Sequence, residues 1–369
     1  MPEGHQPQPD LPPAPRYRLW LHILAIALVL ATFGLVAIGG TVTSYDAGMA
    51  VPDGFTTFGY WSLTAPLEVW WHDFGTRLEH SHRLKGYVVG WLTIGLLVGV
   101  LVTQRGRGWL KLLSVGLLVF VIAQGIMGIL RVDQVSTVLA AIHGVTGQLF
   151  LCLTVLAAAA VGSVWIRRAR SGAKIGRVPV TAWVLLGLLL MQLILGSAVR
   201  HSNAGLAIPD WPLHYGHVIP PMDQQTLMID FGNHHVAEGT VGQGQVMPTV
   251  QQVHLHFAHR LGAYVVLAFG IAFIVYQWRR HAGQGVVVRA LALFALLLAV
   301  QVLLGVYTVL SGVHPTLATL HQTVGAALIA QGTLVAVRLK LFPAMEREPR
   351  AAAESTGSNA ALPRGGVTA

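Results

Sequence analysis

The sequence predicts an all-α integral membrane protein in which eight transmembrane helices form two homologous four-helix bundles. Three observations lead to this fold class. The 369-residue chain is 54% hydrophobic and only 11% charged, whereas about a quarter of the residues of a soluble protein are charged. Eight apolar runs are each long enough to cross a bilayer. The second half of the chain also repeats motifs of the first half in the same order.

The apolar runs predict helices because a transmembrane helix needs about 20 mostly apolar residues. Non-helical backbone that faces lipid would leave polar groups unpaired. The predicted spans lie at about 19–40, 81–103, 109–130, 137–165, 180–199, 257–277, 287–310 and 316–338. The predicted organisation has five parts: an N-terminal tail (1–18), an N-terminal half (19–166), a cytoplasmic linker (167–178), a C-terminal half (179–340) and a disordered cytoplasmic tail (341–369).

The basic residues predict the orientation of the chain. When the N-terminus is placed in the cytoplasm, eighteen of the 24 Lys and Arg residues fall on the cytoplasmic side, as the positive-inside rule requires. We therefore expect both termini in the cytoplasm of a cell with this protein in its inner (plasma) membrane. This bias accounts for the net charge of +9, so we expect no nucleic-acid partner. The single cysteine, Cys152, excludes an internal disulfide and an iron–sulfur cluster.

An internal repeat relates the two halves. The segment GGTVTSYDAGMAVPDG at 39–54 aligns without gaps with GSAVRHSNAGLAIPDW at 196–211, at an offset of 157. A second match pairs the His-Arg-Leu at 82–84 with that at 259–261, at an offset of 177. A third aligns AIHGVTGQLF at 141–150 with TLHQTVGAAL at 319–328. Chance similarity between apolar helices is the alternative, but Pro, Asp, His and Arg recur in the same order. The larger offset places an insertion of about 20 residues in the second outer loop, at about 214–250.

The repeat supplies two matched pairs of histidines near the outer side of the predicted membrane. His82 pairs with His259, and His143 pairs with His321. Ionisable residues inside a membrane are costly and usually functional. Two histidines that face each other across a four-helix bundle suit axial ligation of haem iron. No carboxylate or thiolate cluster accompanies them to form a zinc or di-iron site. The alternative for each histidine is a packing or hydrogen-bonding role.

The other histidines are weaker candidates. His80 lies about 200° around a helix from His82, so the two cannot enter one pocket. His256 has no assigned role. Three histidines without repeat equivalents are interpreted as structural: His22, His281 and His314. Five in the second outer loop are interpreted as solvated, with a haem edge or adventitious metal as alternatives: His201, His214, His217, His234 and His235.

One asymmetry between the halves suggests chemistry. Glu79 lies three residues before His82 and therefore shares its helix face, whereas the second half has His256 at that position. A carboxylate there could relay protons or polarise a bound oxygen species. The alternative is an interfacial glutamate that pairs with Arg83 or Arg77. Arg83 and Arg260, which directly follow the predicted ligands, would suit haem propionates, and snorkelling to the interface explains them equally well.

Together these motifs resemble the haem A synthase family. The resemblance rests on the Gly-Gly-Thr-Val-Thr turn at 39–43, the Glu-x-x-His-Arg run at 79–83, the Pro-Asp-Trp-Pro-Leu stretch at 209–213, and the remaining three histidines. It covers about residues 20–340. The family implies oxidation of the C8 methyl of haem O to a formyl group, which gives haem A for terminal oxidase assembly. Some members carry a cysteine pair in the first outer loop, which is absent here.

The resemblance also assigns roles to residues. It implies that His82 and His143 flank the substrate haem O, with Arg83 nearby and Glu79 as the catalytic carboxylate. It implies that His259 and His321 are the axial ligands of a haem b cofactor, with Arg260 nearby. The expected partners are haem O, membrane lipid, a haem O synthase, a quinone or other electron acceptor, and a second copy of the chain.

Two other functions remain open from the residues alone. A di-haem b-type cytochrome would use the same four histidines for electron transfer without modifying a haem, and Glu79 would then have no catalytic role. A transporter or haem carrier would be expected to place its polar groups near the bilayer midplane, whereas here they lie near the outer ends of the spans.

Overall fold

The computed structural model describes residues 16–239 and 246–344. The two chain ends assigned to tails, at 1–15 and 345–369, lie outside the described residues. Among the described residues, eight helices are long and apolar enough to cross a membrane, which confirms the predicted fold class. They are α1 (Leu19–Ser44), α3 (Phe74–Thr103), α4 (Gly108–Asp133), α5 (Thr137–Val161), α7 (Val180–His201), α9 (Val250–Arg280), α10 (Gly285–Leu310) and α11 (Pro315–Leu341).

Each half is a ring of four helices around its own apolar core. In the first half α1 packs on α3, α3 on α4, α4 on α5, and α5 on α1. The second half repeats this order with α7, α9, α10 and α11. The two cores centre on buried leucines and phenylalanines, such as Leu28 and Phe150 in one and Leu291 and Phe294 in the other. The halves meet along α1, α5, α7 and α11, so α11 is buried over much of its length.

Two helices begin earlier than the apolar runs predict. The predicted starts at 81 and 257 are wrong, since α3 begins at Phe74 and α9 at Val250. The side chain of Asp73 caps α3 by accepting from the backbone N–H of Thr76. Thr249 and Gln252 form a capping box at the start of α9. Both first turns are polar, and hydropathy alone does not detect such turns. His82 and His259 therefore lie about two turns inside their helices.

The fourth span is shorter than predicted. The helix predicted at 137–165 ends at Val161, and Gly162 adopts an extended conformation. A short helix, α6 (Ser163–Arg170), follows and carries three arginines in its last turn. The predicted linker at 167–178 thus begins inside α6.

The two long loops that the sequence predicts on the outer side, between α1 and α3 and between α7 and α9, lie over one end of the bundles. The first contains a 3₁₀ turn (Ala47–Met49), the strands β1 (Thr56–Thr57) and β2 (Tyr60–Trp61), and the short helix α2 (Leu67–Trp70). β1 and β2 form an antiparallel hairpin. The second loop contains an isolated bridge between His214 and His217 and a longer helix, α8 (Gln224–Ala237). Leu227 of α8 packs into a small core with Ile208, Val253 and neighbouring residues.

The hairpin is part of the repeat. Thr57 pairs with Tyr60, and at the offset of 157 the second loop pairs His214 with His217. Asp53 and Asp210 each accept hydrogen bonds from the backbone of these turns, including the N–H of Gly59 and Gly216 respectively. The repeat therefore continues to about residue 217. The extra residues predicted at about 214–250 lie after this point and include α8.

Candidate functional site

Each of the four repeat-matched histidines lies against a glycine of the preceding helix in its bundle. A Cβ at Gly39 of α1 would lie 3.0 Å from Cε1 of His82, and a Cβ at Gly196 of α7 would lie 3.0 Å from Cε1 of His259. The corresponding distances are 3.6 Å from Gly128 of α4 to His143 and 2.9 Å from Gly305 of α10 to His321. Gly39, Gly196 and Gly305 thus provide space that the imidazole rings need, whereas a Cβ at Gly128 would make an ordinary van der Waals contact. The pairing of each histidine with a glycine is the same in both halves.

The two histidines of the first half face each other across the bundle. The ring centroids of His82 and His143 are 6.4 Å apart, and the planes are inclined by 80°. Nδ1 of each ring is buried and has no hydrogen-bond partner. An imidazole nitrogen binds a first-row metal at about 2.0–2.1 Å, so one metal ion fits between two rings at this separation.

The second pair occupies the equivalent positions on α9 and α11. His259 and His321 each lie against a glycine of the preceding helix in the bundle, and Nδ1 of His321 is buried without a partner. Nδ1 of His259 lies 3.1 Å from Nε2 of Gln192. In the described parts of the chain, no group of three or more His, Cys, Asp and Glu residues could hold a metal ion. Paired imidazoles inside a helical bundle are instead the donor set of a bis-histidine haem, so the residues present fit a haem in each half.

Arg83 and Arg260 hold the outer loops in place. Each guanidinium reaches three backbone carbonyls of the loop above it, at distances of 2.6–3.3 Å. These carbonyls are equivalent in the repeat: Val51, Asp53 and Thr56 for Arg83, and Ile208, Asp210 and Leu213 for Arg260. Most of the five donors of each arginine therefore fasten a loop over the bundle. The predicted contact with haem propionates stays a prediction.

Glu79 also helps to attach the first outer loop to α3. It is 3% exposed. Its Oε1 accepts from Nη2 of Arg83 at 2.8 Å, and its Oε2 accepts from the backbone N–H of Val51 at 2.9 Å. The pairing with Arg83 that the sequence suggested is thus present. Arg77 instead donates to the carbonyl of Trp71.

His256 occupies the position of Glu79 in the second half and makes equivalent contacts. The backbone N–H of Ile208 donates to its Nδ1, and Nε of Arg260 lies 3.3 Å from its Nε2. A neutral imidazole has only one acceptor nitrogen, so it can satisfy only one of these donors at a time. A carboxylate satisfies both. Glu79 therefore has a structural counterpart in His256, but only Glu79 brings a negative charge and four lone pairs.

His80 belongs to the loop contacts and not to the histidine pocket, as expected. It is 1% exposed, and its Nδ1 lies 3.0 Å from Oγ1 of Thr57 in the hairpin. Its ring also stacks on Trp70 of α2, with centroids 4.2 Å apart. His80 thus attaches the first outer loop to α3.

The histidines of the second outer loop have local partners. The prediction that all five are solvated loop residues is wrong for two of them. His214 is 5% exposed and contacts Phe257 edge to face, and His201 is the last residue of α7. Burial, and to a lesser extent the charge of Arg260, lowers the pKa of His214, so this ring is neutral at pH 7. His217 lies 3.4 Å from Asp230 of α8. In the first loop, the backbone N–H of Gly59 and other donors hold the pKa of Asp53 below its usual value. These side chains therefore stabilise the two turns through hydrogen bonds and packing.

The sequence reasoning missed Gly128, Gly305 and Gln192. A signal for the two glycines was present, since Gln-x-x-x-Gly occurs at 124–128 and again at 301–305 with the offset of 177. Gln192 carries the same signal, since Gln-x-x-x-Gly also occurs at 192–196, and the corresponding segment of α1 has Leu35 in place of the glutamine.

The fold and the site define a class of multi-pass helical membrane proteins with a histidine pair in each of two repeated bundles. Residues 66–332 match the COX15-CtaA family, described as cytochrome oxidase assembly protein. The chain belongs to this family, which confirms the resemblance found in the sequence.

Curated relatives named heme A synthase cover most of the chain. The one from Symbiobacterium thermophilum is 28% identical over 293 residues, which are 75% of this chain and 82% of the relative. The one from Beijerinckia indica is 28% identical over 317 residues, or 77% and 82% of the two chains. The one from a Bradyrhizobium species is 28% identical over 386 residues, or 94% and 96%.

Proposed function

We propose that this protein is a haem A synthase, which oxidises the C8 methyl of haem O to a formyl group. The observation that carries the proposal is the pair of glycine-backed histidine pockets, of which only one has a carboxylate beside it. Membership of a family that includes proteins named heme A synthase supports the same reaction. In the proposed orientation both termini are cytoplasmic and both pockets lie near the outer face.

The two pockets take different roles in this proposal. His82 and His143 hold the substrate haem O, and His259 and His321 hold haem b, which supplies a one-electron redox centre when bound. Conversion of a methyl to a formyl group with the oxygen atom taken from water releases four protons and four electrons, and a quinone or other electron acceptor must take up the electrons. The substrate half must therefore provide a route for protons, and the cofactor half a route for electrons.

Glu79 is the group in the substrate half that can take up or relay a proton. It lies one helical turn before His82 and is held by Arg83 and by the backbone N–H of Val51. These two hydrogen bonds fix the direction of the carboxylate. Proton transfer requires one carboxylate oxygen to exchange a loop donor for the substrate or a water molecule. Arg83 then remains as the charge partner of the carboxylate.

The experiment is expression with and without a source of haem O, followed by extraction of the haems and identification by chromatography and mass. Haem A should form only when haem O is supplied. A protein fully loaded with haem that forms no haem A would overturn the proposal.

The Glu79→Gln variant tests the role of the carboxylate. The amide retains an acceptor for the N–H of Val51, so the loop should stay in place and haem b should bind normally. Haem A formation should fall by about 100-fold or more, because general acid–base groups contribute factors of about 10² to 10⁴. Glu68→Gln changes an exposed carboxylate of α2 and should behave like the wild type. Wild-type haem A formation by Glu79→Gln would contradict the catalytic role.

A second function is favoured by one specific observation. Glu79 and His256 make equivalent loop contacts, so the carboxylate has a structural explanation that needs no chemistry. A di-haem b-type electron-transfer cytochrome would be consistent with this. The Glu79→His variant, which reproduces the second half, separates the two functions. It should leave a cytochrome unaffected and should abolish haem A formation by a synthase.

A further inference from the structure

One predicted haem ligand differs from the other three in its surroundings. The Nδ1 atoms of His82, His143 and His321 are buried without a hydrogen-bond partner. The Nδ1 of His259 instead lies 3.1 Å from Nε2 of Gln192, which also donates to the carbonyl oxygen of His259 at 2.9 Å. Within the described chain, His259 is therefore the only one of the four rings that a neighbouring side chain holds at this nitrogen.

The two halves differ at two adjacent positions to allow this contact. At the offset of 157, the position of Gln192 on α7 corresponds to Leu35 on α1, which cannot hydrogen-bond. At the offset of 177, Gly262 on α9 corresponds to Lys85 on α3. A Cβ at Gly262 would lie only 2.4 Å from Oε1 of Gln192. The glycine therefore provides the space for the amide, and the first half lacks both the amide and the space.

The amide lies in an apolar crevice. A cavity of about 250 Å³ between α7 and α9 is lined by Gln192 together with aliphatic side chains, Met191 and Gly262. Oε1 of Gln192 is buried and has no partner. A buried amide oxygen without a donor costs about 1–3 kcal/mol. The oxygen thus has a strong preference for any N–H that becomes accessible beside it.

We propose that Gln192 is a positioning residue that holds His259 as the fixed axial ligand of the resident haem b. When Nε2 of His259 binds iron, the ring proton must reside on Nδ1. An amide turned so that Oε1 accepts from this N–H would exchange its donation to the carbonyl of His259 for this bond, and would fix the tautomer and the plane of the ring. Such partners of ligating histidines increase electron donation to the metal and strengthen its binding.

The proposal rests on the proposed function, because it explains how two similar pockets serve different purposes. A cofactor site must retain its haem, and a ligand with a fixed ring loses the haem slowly. A substrate site must release its product, and His82 faces Leu35 in place of the glutamine, so no side chain holds its ring and only the backbone of Leu35 interacts with it. Gln192 and Gly262 would thus mark the half that keeps its haem.

The test compares Gln192→Leu with the wild type in holoprotein purified from cells without haem O. Haem loss is followed by transfer to an excess of apomyoglobin, and the midpoint potential of the retained haem is measured by titration. Gln192→Leu should lose haem b about 10-fold faster, since outer partners of metal ligands contribute factors of about 10 to 100 in affinity. Its midpoint potential should rise. Met191→Leu, in the same crevice, should match the wild type in both measurements.

A second variant separates positioning from general packing. Gln192→Glu places a stronger acceptor beside Nδ1, so the midpoint potential should fall below that of the wild type. A purely structural role of Gln192 predicts shifts in the same direction for the Leu and Glu variants. Unchanged haem loss and unchanged potential in Gln192→Leu, or shifts of the same sign in both variants, would overturn the inference.

The reverse exchange tests the contrast between the halves. The double variant Leu35→Gln/Lys85→Gly installs the amide and its space beside His82. Haem bound by the first half should then be lost about 10-fold more slowly, and no change would count against the inference. These measurements do not require haem A, so they remain informative if the wild type forms none. In that event the proposed reaction would be wrong, and the rates of haem loss from the variants would still test the role of Gln192.

Discussion

The two four-helix halves have the same frame but differ beside their predicted iron ligands. Both have glycine-backed histidines, an arginine that holds the same three loop carbonyls, and a hairpin over the bundle. In the first half, Glu79 contacts the arginine and the loop backbone, and no side chain hydrogen-bonds to His82. In the second half, His256 takes the place of Glu79, and Gln192 lies beside His259. The repeat thus conserves the architecture of a pocket, and a few substitutions next to the ligands decide what each pocket does.

The largest expected effect comes from removing a ligand in one half at a time. His259→Ala or His321→Ala should eliminate the spectrum of the stable haem b, because a single imidazole remains in that pocket. His82→Ala should leave that spectrum intact and abolish haem A formation. Absorption spectra of the purified variants, with haem extraction, check both outcomes. Normal occupancy and an unchanged spectrum in His259→Ala would break the assignment of the halves.

The next largest effect concerns the arginines that fasten the loops. Arg83→Gln and Arg260→Gln both remove contacts to three carbonyls, but only Arg83→Gln also removes the hydrogen-bonded ion-pair partner of a buried carboxylate, Glu79, which then has only the more distant charge of Arg131. Breaking a buried ion pair costs about 3–5 kcal/mol. We therefore expect Arg83→Gln to be more destabilising in thermal or denaturant unfolding of the detergent-solubilised protein.

A double variant provides the control for this comparison. Glu79→Gln/Arg83→Gln removes both charges and should recover much of the stability lost in Arg83→Gln alone. Equal destabilisation by Arg83→Gln and Arg260→Gln, with no recovery in the double variant, would show that the ion pair contributes little and that the two fastenings are equivalent.

A smaller effect is expected at the glycines behind the rings. A Cβ at Gly305 would lie 2.9 Å from His321, whereas a Cβ at Gly128 would lie 3.6 Å from His143, an ordinary van der Waals distance. Gly305→Ala should displace the ring at a cost of about 1–3 kcal/mol and reduce the amount of haem b per protein. Gly128→Ala should be tolerated.

A glycine with free space around it controls for the change in helix propensity. A Cβ at Gly187 of α7 would meet nothing within 4 Å, so Gly187→Ala should bind haem b like the wild type. Equal haem b content in Gly305→Ala and Gly187→Ala would mean that the bundle accommodates the extra methyl group without loss of haem b. The close fit around His321 would then not contribute to haem binding.

Several features could be predicted from the sequence because they are periodic or repeated. The eight spans follow from local hydropathy, and the matched histidines follow from the constant offsets of 157 and 177. The helix starts at Phe74 and Val250 were missed, since polar first turns are stabilised by the caps at Asp73 and Thr249. Such caps give only weak signals beside a long apolar run.

The sequence by itself determined the number of membrane spans, the twofold repeat and the four histidines at equivalent positions, because each is encoded in composition or in spacing along the chain. The tertiary structure alone decided which side chains meet across helices. It placed Arg83 and Arg260 on loop carbonyls, gave Glu79 and His256 equivalent backbone partners, and put Gln192 beside His259. Contacts of this kind depend on the distance between helix axes and on the space that a glycine leaves on the facing helix. Neither can be read from the spacing of residues within one helix.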